Sequence, residues 1–159
     1  MHELCELFHL EGFLGVIPSP DLLSKRHSRL KEDTFCMIVN TRGHFVVLIK
    51  KPGLFIYIDP AGLPCLDPNI RQFIKKHTRK DTKFLYNQRA IQDPESIHCS
   101  LYCLLFLIKL CSKEEEEEGQ EEKKAVVHFK KRDLQKNDGI VVKALKELVS
   151  ELEIKTTRL

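Results

Sequence analysis

The sequence has no tryptophan, no apolar run long enough to cross a membrane, no apparent internal repeat and no Cys-x-x-Cys pair. Its longest unbroken apolar stretch, residues 101–108, falls far below the roughly 20 residues of a spanning helix, so an integral membrane protein is not expected. Without paired cysteines a zinc site is not expected, although Cys99 and Cys103 share a helix face with His98 beside them and Cys5 and His9 are similarly spaced. The opening Met1-His2-Glu3-Leu4-Cys5-Glu6 lacks the basic flank and apolar core of a secretory signal. The chain is therefore expected to stay in a reducing compartment, with its six cysteines as thiols. Large net charge is also missing: 26 basic against 23 acidic side chains leave +3, too little for the whole molecule to act as a polycation.

What is present suits one α+β domain over residues 1–159, with 42% hydrophobic residues and enough length for a sizeable core. The one low-complexity stretch, 113–124, is almost wholly Glu and Lys. It reads as a mobile insertion, or as a solvated extension of the preceding helix, and in neither case as core. The basic residues cluster in three segments: Lys25-Arg26-His27 with Arg29 and Lys31; Arg71, Lys75-Lys76-His77 and Arg79-Lys80; and Lys130-Lys131-Arg132. Converging on one face, they would bind DNA through phosphate contacts; scattered, they are ordinary solvated surface.

Patterning supplies the elements. An amphipathic helix is expected over 2–9, then a loop rich in Pro, Ser and Asp. Apolar, β-branched runs at 34–39, 45–50 and 54–58, separated by turn residues at 40–43 and 51–53, predict an antiparallel meander. Asp67-Pro68 supplies an N-cap followed by proline at the first helical position, and Ile70, Phe73 and Ile74 carry a helix to about His77. A strand at 83–86, a buried helix over about 98–111 and an amphipathic helix over about 138–153, striped by Val141, Leu145, Leu148 and Leu152, complete a mixed, mainly antiparallel sheet packed against helices.

Within that frame His44 opens one strand, Asp59 closes the next and Cys99 begins the buried helix. A thiol is mostly protonated at neutral pH and becomes a nucleophile beside an imidazolium and at a helix N-terminus. His44 suits the base and later general acid, Asp59 the acceptor that fixes its tautomer, and Gln92 an oxyanion donor together with the Cys99 amide. Each residue taken singly also has an ordinary structural reading. Cysteines are usually small core hydrophobes, His44 follows a turn, and Asp59-Pro60-Ala61-Gly62 could simply end a strand.

The neighbouring segments carry more weight. Phe13-Leu14-Gly15, Ile38-Val39-Asn40-Thr41 before the histidine, Asp59-Pro60-Ala61-Gly62, and Gln92 through Cys99-Ser100-Leu101-Tyr102-Cys103 resemble the adenain family of viral maturation proteases. That family includes relatives in other double-stranded DNA viruses and virus-like transposons. The resemblance implies an adenain and ubiquitin-like-protease type fold with a central helix carrying the nucleophile. It also implies a cysteine endopeptidase with Cys99 as nucleophile, His44 as base, Asp59 as third member and Gln92 as oxyanion donor. The implied substrates are viral precursor polypeptides cut during virion maturation, in the virion and the host nucleus, by a monomer that needs no metal or cofactor. Activation by DNA or a viral peptide is implied as well. The disulfide-linked mode is not, because residues 81–86 hold no cysteine. Phe45 and Ser100 stand where the family usually has tryptophan and glycine. Two alternatives remain open here: a ubiquitin-like-protein protease, which shares the order His, Asp, Gln, Cys, and a non-catalytic nucleic-acid-binding virion protein.

The basic segments generate one direct expectation. Duplex DNA should bind at low ionic strength and dissociate steeply as salt rises, as an anisotropy titration would show; no binding even at low salt would remove this reading.

Overall fold

The computed structural model describes residues 8, 10, 12–23, 33–111 and 134–156, with side chains as far as residue 150. The expected helix over 2–9, apart from Phe8, lies outside these residues, as do Cys5, His9, the 113–124 segment and the basic segments at 25–31 and 130–132.

Five strands form one mixed sheet in chain order: β1 (Phe13–Ile17), β2 (Phe35–Asn40), β3 (Phe45–Lys51), β4 (Leu54–Ile58) and β5 (Lys83–Tyr86). β2, β3 and β4 make the expected meander, with Asn40 opposite Phe45 and Lys51 opposite Leu54. Only Pro52 and Gly53 span the second turn. The outer strands run parallel to their neighbours. A parallel neighbour must be reached by a crossover, and helix α1 (Pro68–His77) belongs to the one between β4 and β5. It starts where the sequence predicts: the Asp67 carboxylate accepts from the amides of Asn69 at 2.9 Å and Ile70 at 3.1 Å. Lys75, Lys76 and His77 occupy its last turn, where the helix dipole favours cations.

β1 departs from the expected loop. Its register with β2 shifts between Phe13 and Val16, and Gly15 sits at φ 101°, so it lacks the alternation that marks a strand. Its partner also lies some twenty residues away, where no local pattern reports it. Gly12 docks it: the Gly12 carbonyl accepts from the Cys36 amide at 2.9 Å, at φ 65°, and a Cβ there would lie 2.7 Å from the Thr34 carbonyl oxygen.

Alternate residues of the sheet feed two cores. Phe35, Met37, Val39, Leu48 and Phe55 pack with Ile70, Phe73 and Ile74 of α1. Cys36, Ile38, Val47 and Ile49 pack with helices α2 (Cys99–Cys111) and α3 (Gln135–Thr156). With both faces covered, the central strands read as continuous apolar runs. α2 is the more buried helix; Tyr102, Cys103, Leu104, Leu105 and Leu107 are all nearly inaccessible. It lies against the sheet on one side and α3 on the other, and Val141 and Leu145 of the expected stripe cover it. α3 begins at Gln135, three residues before the expected start, and Asn137 in its first turn is wholly buried. The architecture is α+β, a mixed five-stranded sheet between helices. Among the described residues no helix is long and apolar enough to cross a membrane.

Candidate active site

His44 is delivered by the β2–β3 turn. Arg42 at φ 65° and Gly43 at φ 100° place both central residues in the left-handed region, as a two-residue hairpin of matching twist requires. The turn is closed by the Thr41 amide donating to the His44 carbonyl at 2.6 Å, while the Thr41 hydroxyl donates to the same oxygen at 3.0 Å. The Asn40 side chain accepts from the Gly43 amide at 2.8 Å. The backbone of His44 is thus fixed while its imidazole stays partly open, with 30% of the side chain exposed.

Asp59 follows the last residue of β4 and is 97% buried. Its Oδ1 accepts from His44 Nε2 at 2.7 Å and from the Ala61 amide at 2.8 Å. Because Oδ1 already accepts an amide proton, Nε2 is the donor of the histidine bond, and in the neutral ring Nδ1 keeps its lone pair. The Tyr57 hydroxyl lies 3.5 Å from Oδ2. Burial first, then the Asp59 charge, pushes the Tyr57 phenol well above its ordinary range, so it remains a hydroxyl. Gly62 is required in the turn that follows: at φ 71°, any Cβ would collide with the backbone of Arg89 and Ala90.

The remaining two residues join through the 87–98 segment. The Pro60 carbonyl accepts from the amides of Ile91 at 2.9 Å and Gln92 at 3.1 Å, so Gln92 is tied one residue beyond Asp59. Gln92 is 94% buried, and its Nε2 donates to the Ser96 carbonyl at 2.7 Å. The chain turns through 93–96, where Asp93 accepts the Glu95 amide at 3.0 Å, and enters α2 at Cys99, itself 93% buried. The first turn of α2 carries no acidic residue to offset its dipole. One turn on, the Cys103 thiol donates to the Phe45 carbonyl at 3.3 Å. That contact seats the start of α2 on the residue following His44, about 6 Å along the axis from Cys99.

His44, Asp59 and Gln92 thus lie on one circuit of hydrogen bonds and chain: His44 to Asp59, Pro60 to Gln92, Gln92 to Ser96, then along the chain past Cys99 to Cys103, which reaches Phe45 beside His44. Sequence reasoning missed Asn87. Its side chain accepts from the Asp59 amide at 2.9 Å and donates to the Asp59 carbonyl, taking the place of a strand partner after β5 has ended at Tyr86. Only a strand-ending Asn signalled it, and such residues are common in turns. Among the described residues no group of three or more His, Cys, Asp or Glu side chains gathers as a metal site would.

No protein-family model and no curated protein sequence matches the chain. Among solved structures, it is similar to the central domain of the uncharacterized Lpg1148 protein from Legionella pneumophila, with a TM-score of 0.51 and 13% identity over 95% of this chain and 96% of that one. It also aligns with the SUMO protease Ulp1, whose catalytic cysteine is oxidized to a sulfonic acid in that structure, with a TM-score of 0.46 and 14% identity over 91% and 78%. The first likeness, at such low identity, concerns the fold alone and agrees with the α+β architecture.

The Asn87 clasp has a measurable worth. Asn87→Ala should lower stability by about 1–3 kcal/mol in urea unfolding, because it leaves the Asp59 amide unpaired, and Asn87→Asp, which can still accept from that amide, should recover part of the loss. An unchanged midpoint in the alanine variant would show the clasp to be dispensable.

Proposed function

We propose that this protein is a cysteine endopeptidase. The His44–Asp59 bond at 2.7 Å is the observation that carries the reading, supported by Gln92 tied to Pro60 and by α2, which begins at Cys99, seated on Phe45 through Cys103. In this mechanism His44 Nδ1 takes the Cys99 thiol proton as sulfur attacks the substrate carbonyl carbon. The carbonyl oxygen gains negative charge and receives the second Nε2 hydrogen of Gln92 and the Cys99 backbone amide. His44 then protonates the leaving amine, the C–N bond breaks and a thioester remains. Water, deprotonated by His44, attacks the thioester; the acid leaves and the thiol is restored. Asp59, through Nε2, holds the ring in the tautomer that presents Nδ1 throughout.

The substrates we assign are viral precursor polypeptides cut at glycine-containing sites during particle maturation, with DNA as an auxiliary partner. The support is the resemblance in the segments around the four residues. Ser100, next to the nucleophile, is where this site departs most from that pattern. Its hydroxymethyl group narrows the approach of substrate backbone, which favours small residues at the scissile bond.

Cys99→Ala should abolish cleavage of a glycine-rich peptide panel while leaving the thermal midpoint close to wild type; full residual activity would sink the assignment. Gln92→Ala should lower kcat by about a hundredfold with KM little changed, as expected for a donor used only in the transition state. An equal loss in binding would contradict its oxyanion role.

A further inference from the structure

The segment between Gln92 and Cys99 is short and polar, and contacts from α3 hold it in place. Asn137, wholly buried, donates from Nδ2 to the Ile91 carbonyl at 2.7 Å. Its neighbour Asp138 stands in the first turn of α3, where the helix dipole favours a carboxylate. The Ser96 and Tyr102 hydroxyls both donate to Asp138 Oδ1, each at 2.9 Å. Burial, then the bond to Asp138, pushes the Tyr102 phenol far above its ordinary range, so Tyr102 stays a donor. The Ser96 hydroxyl also accepts from the His98 amide at 3.1 Å. One carboxylate oxygen therefore ties together the turn before Cys99, the first turn of α2 and the start of α3.

The Gln92 amide shows what this clamp accomplishes. Its Nε2 is satisfied by the Ser96 carbonyl, whereas its buried Oε1 has no hydrogen-bond partner among the described residues. Leaving a buried acceptor unpaired costs about 1–3 kcal/mol, so the surroundings impose this orientation on the side chain. Turning the amide over would set Oε1 against the Ser96 carbonyl, acceptor against acceptor. The position of Ser96 therefore decides which way the Gln92 donor faces, and Ser96 is held by its amide, which donates to the Asp93 carbonyl at 3.0 Å, and by its hydroxyl on Asp138.

We propose that Asp138, together with Asn137, is a positioning residue for the oxyanion side of this site, fixing Ser96 so that its carbonyl aims the Gln92 amide. The kinetic consequence rests on the peptidase reading; the clamp itself rests on geometry. A residue acting this way affects turnover through Gln92 and leaves the thiol's own chemistry alone.

The test uses the full chain with Asp138→Ala, Asp138→Asn, Gln92→Ala and the Gln92→Ala/Asp138→Ala double variant. Asp138→Ala should lower kcat about ten- to hundredfold with KM changed by less than about twofold, while iodoacetamide alkylates Cys99 at the wild-type rate, since alkylation needs no oxyanion donor. Asp138→Asn keeps an Oδ1 acceptor for both hydroxyls and should restore most of the turnover. In the Gln92→Ala background Asp138→Ala should add almost nothing. Fully additive losses in the double variant, an equal change in KM, or no rescue by asparagine would overturn the proposal. Should Asp138→Ala fail to fold, Ser96→Ala removes the same link and should give the same kcat loss. Failure of the peptidase reading would appear separately, as Cys99→Ala cleaving like wild type. The clamp is then decided by hydrogen exchange at the amides of residues 96–98: faster exchange in Asp138→Ala supports it, and unchanged exchange overturns it.

Discussion

A carboxyl group buried at the end of a strand has to be surrounded by donors, and the structure around Asp59 follows from that requirement. Burying a polar group without hydrogen bonds costs roughly 2–7 kcal/mol, comparable with the whole stability of a small domain. Asp59 meets the cost with the His44 ring, the Ala61 amide and the nearby Tyr57 hydroxyl on its side chain, and with Asn87 and Gly62 on its backbone. These partners come from the β2–β3 hairpin, from β4 itself, from the turn that follows it and from the chain just after β5. The hydrogen bond that orients the His44 ring is thus one of those that make the buried carboxyl tolerable.

The second requirement is cover for α2. A helix that is apolar nearly all round cannot rest on a surface with one side in water. The sheet takes one side through Cys36, Ile38, Val47 and Ile49, and α3 takes the other through Val141 and Leu145. Lys51 reaches over to donate to the Leu110 carbonyl at 2.8 Å, tying the C-terminal end of α2 to β3. Cys103, an ordinary core residue by its burial, sets the depth of the helix against Phe45 at the other end. With both ends anchored on β3, the first turn of α2 has little freedom relative to His44.

What was legible in the sequence is what local chemistry controls. The Asp67-Pro68 start of α1, the turn residues at 40–43 and 51–53, the three meander strands and the apolar α2 all announce themselves through residues next to one another in the chain. The pairing of His44 with Asp59 was legible for a similar reason: the two flank a hairpin, so the register brings them together. β1 was not, because glycine breaks its alternation and its parallel partner is remote. Asn87, Asn137 and Asp138 were hidden for a further reason. A polar side chain carries no mark of the distant carbonyl, amide or hydroxyl it will meet, and α3 looked like a helix with one useful face because only its apolar stripe is periodic. Strand β5 was read correctly as a strand, yet all four of its residues are exposed, which periodicity alone does not disclose.

The two halves of the circuit also differ in the length of chain that each must close. His44 and Asp59 are 15 residues apart, and the hairpin between them can zip locally. The links from Ile91 to Asn137 and from Ser96 to Asp138 span 46 and 42 residues, and that from Phe45 to Cys103 spans 58. Loop-closure entropy grows with separation, and contacts of high sequence distance form slowly. The imidazole and carboxyl can therefore meet early, while the Gln92 side waits for α3 to dock. During synthesis His44 and Asp59 would be able to pair before residues 137 and 138 have left the ribosome, so a growing chain would carry the hairpin half of the circuit before the segment around Gln92 is held in place.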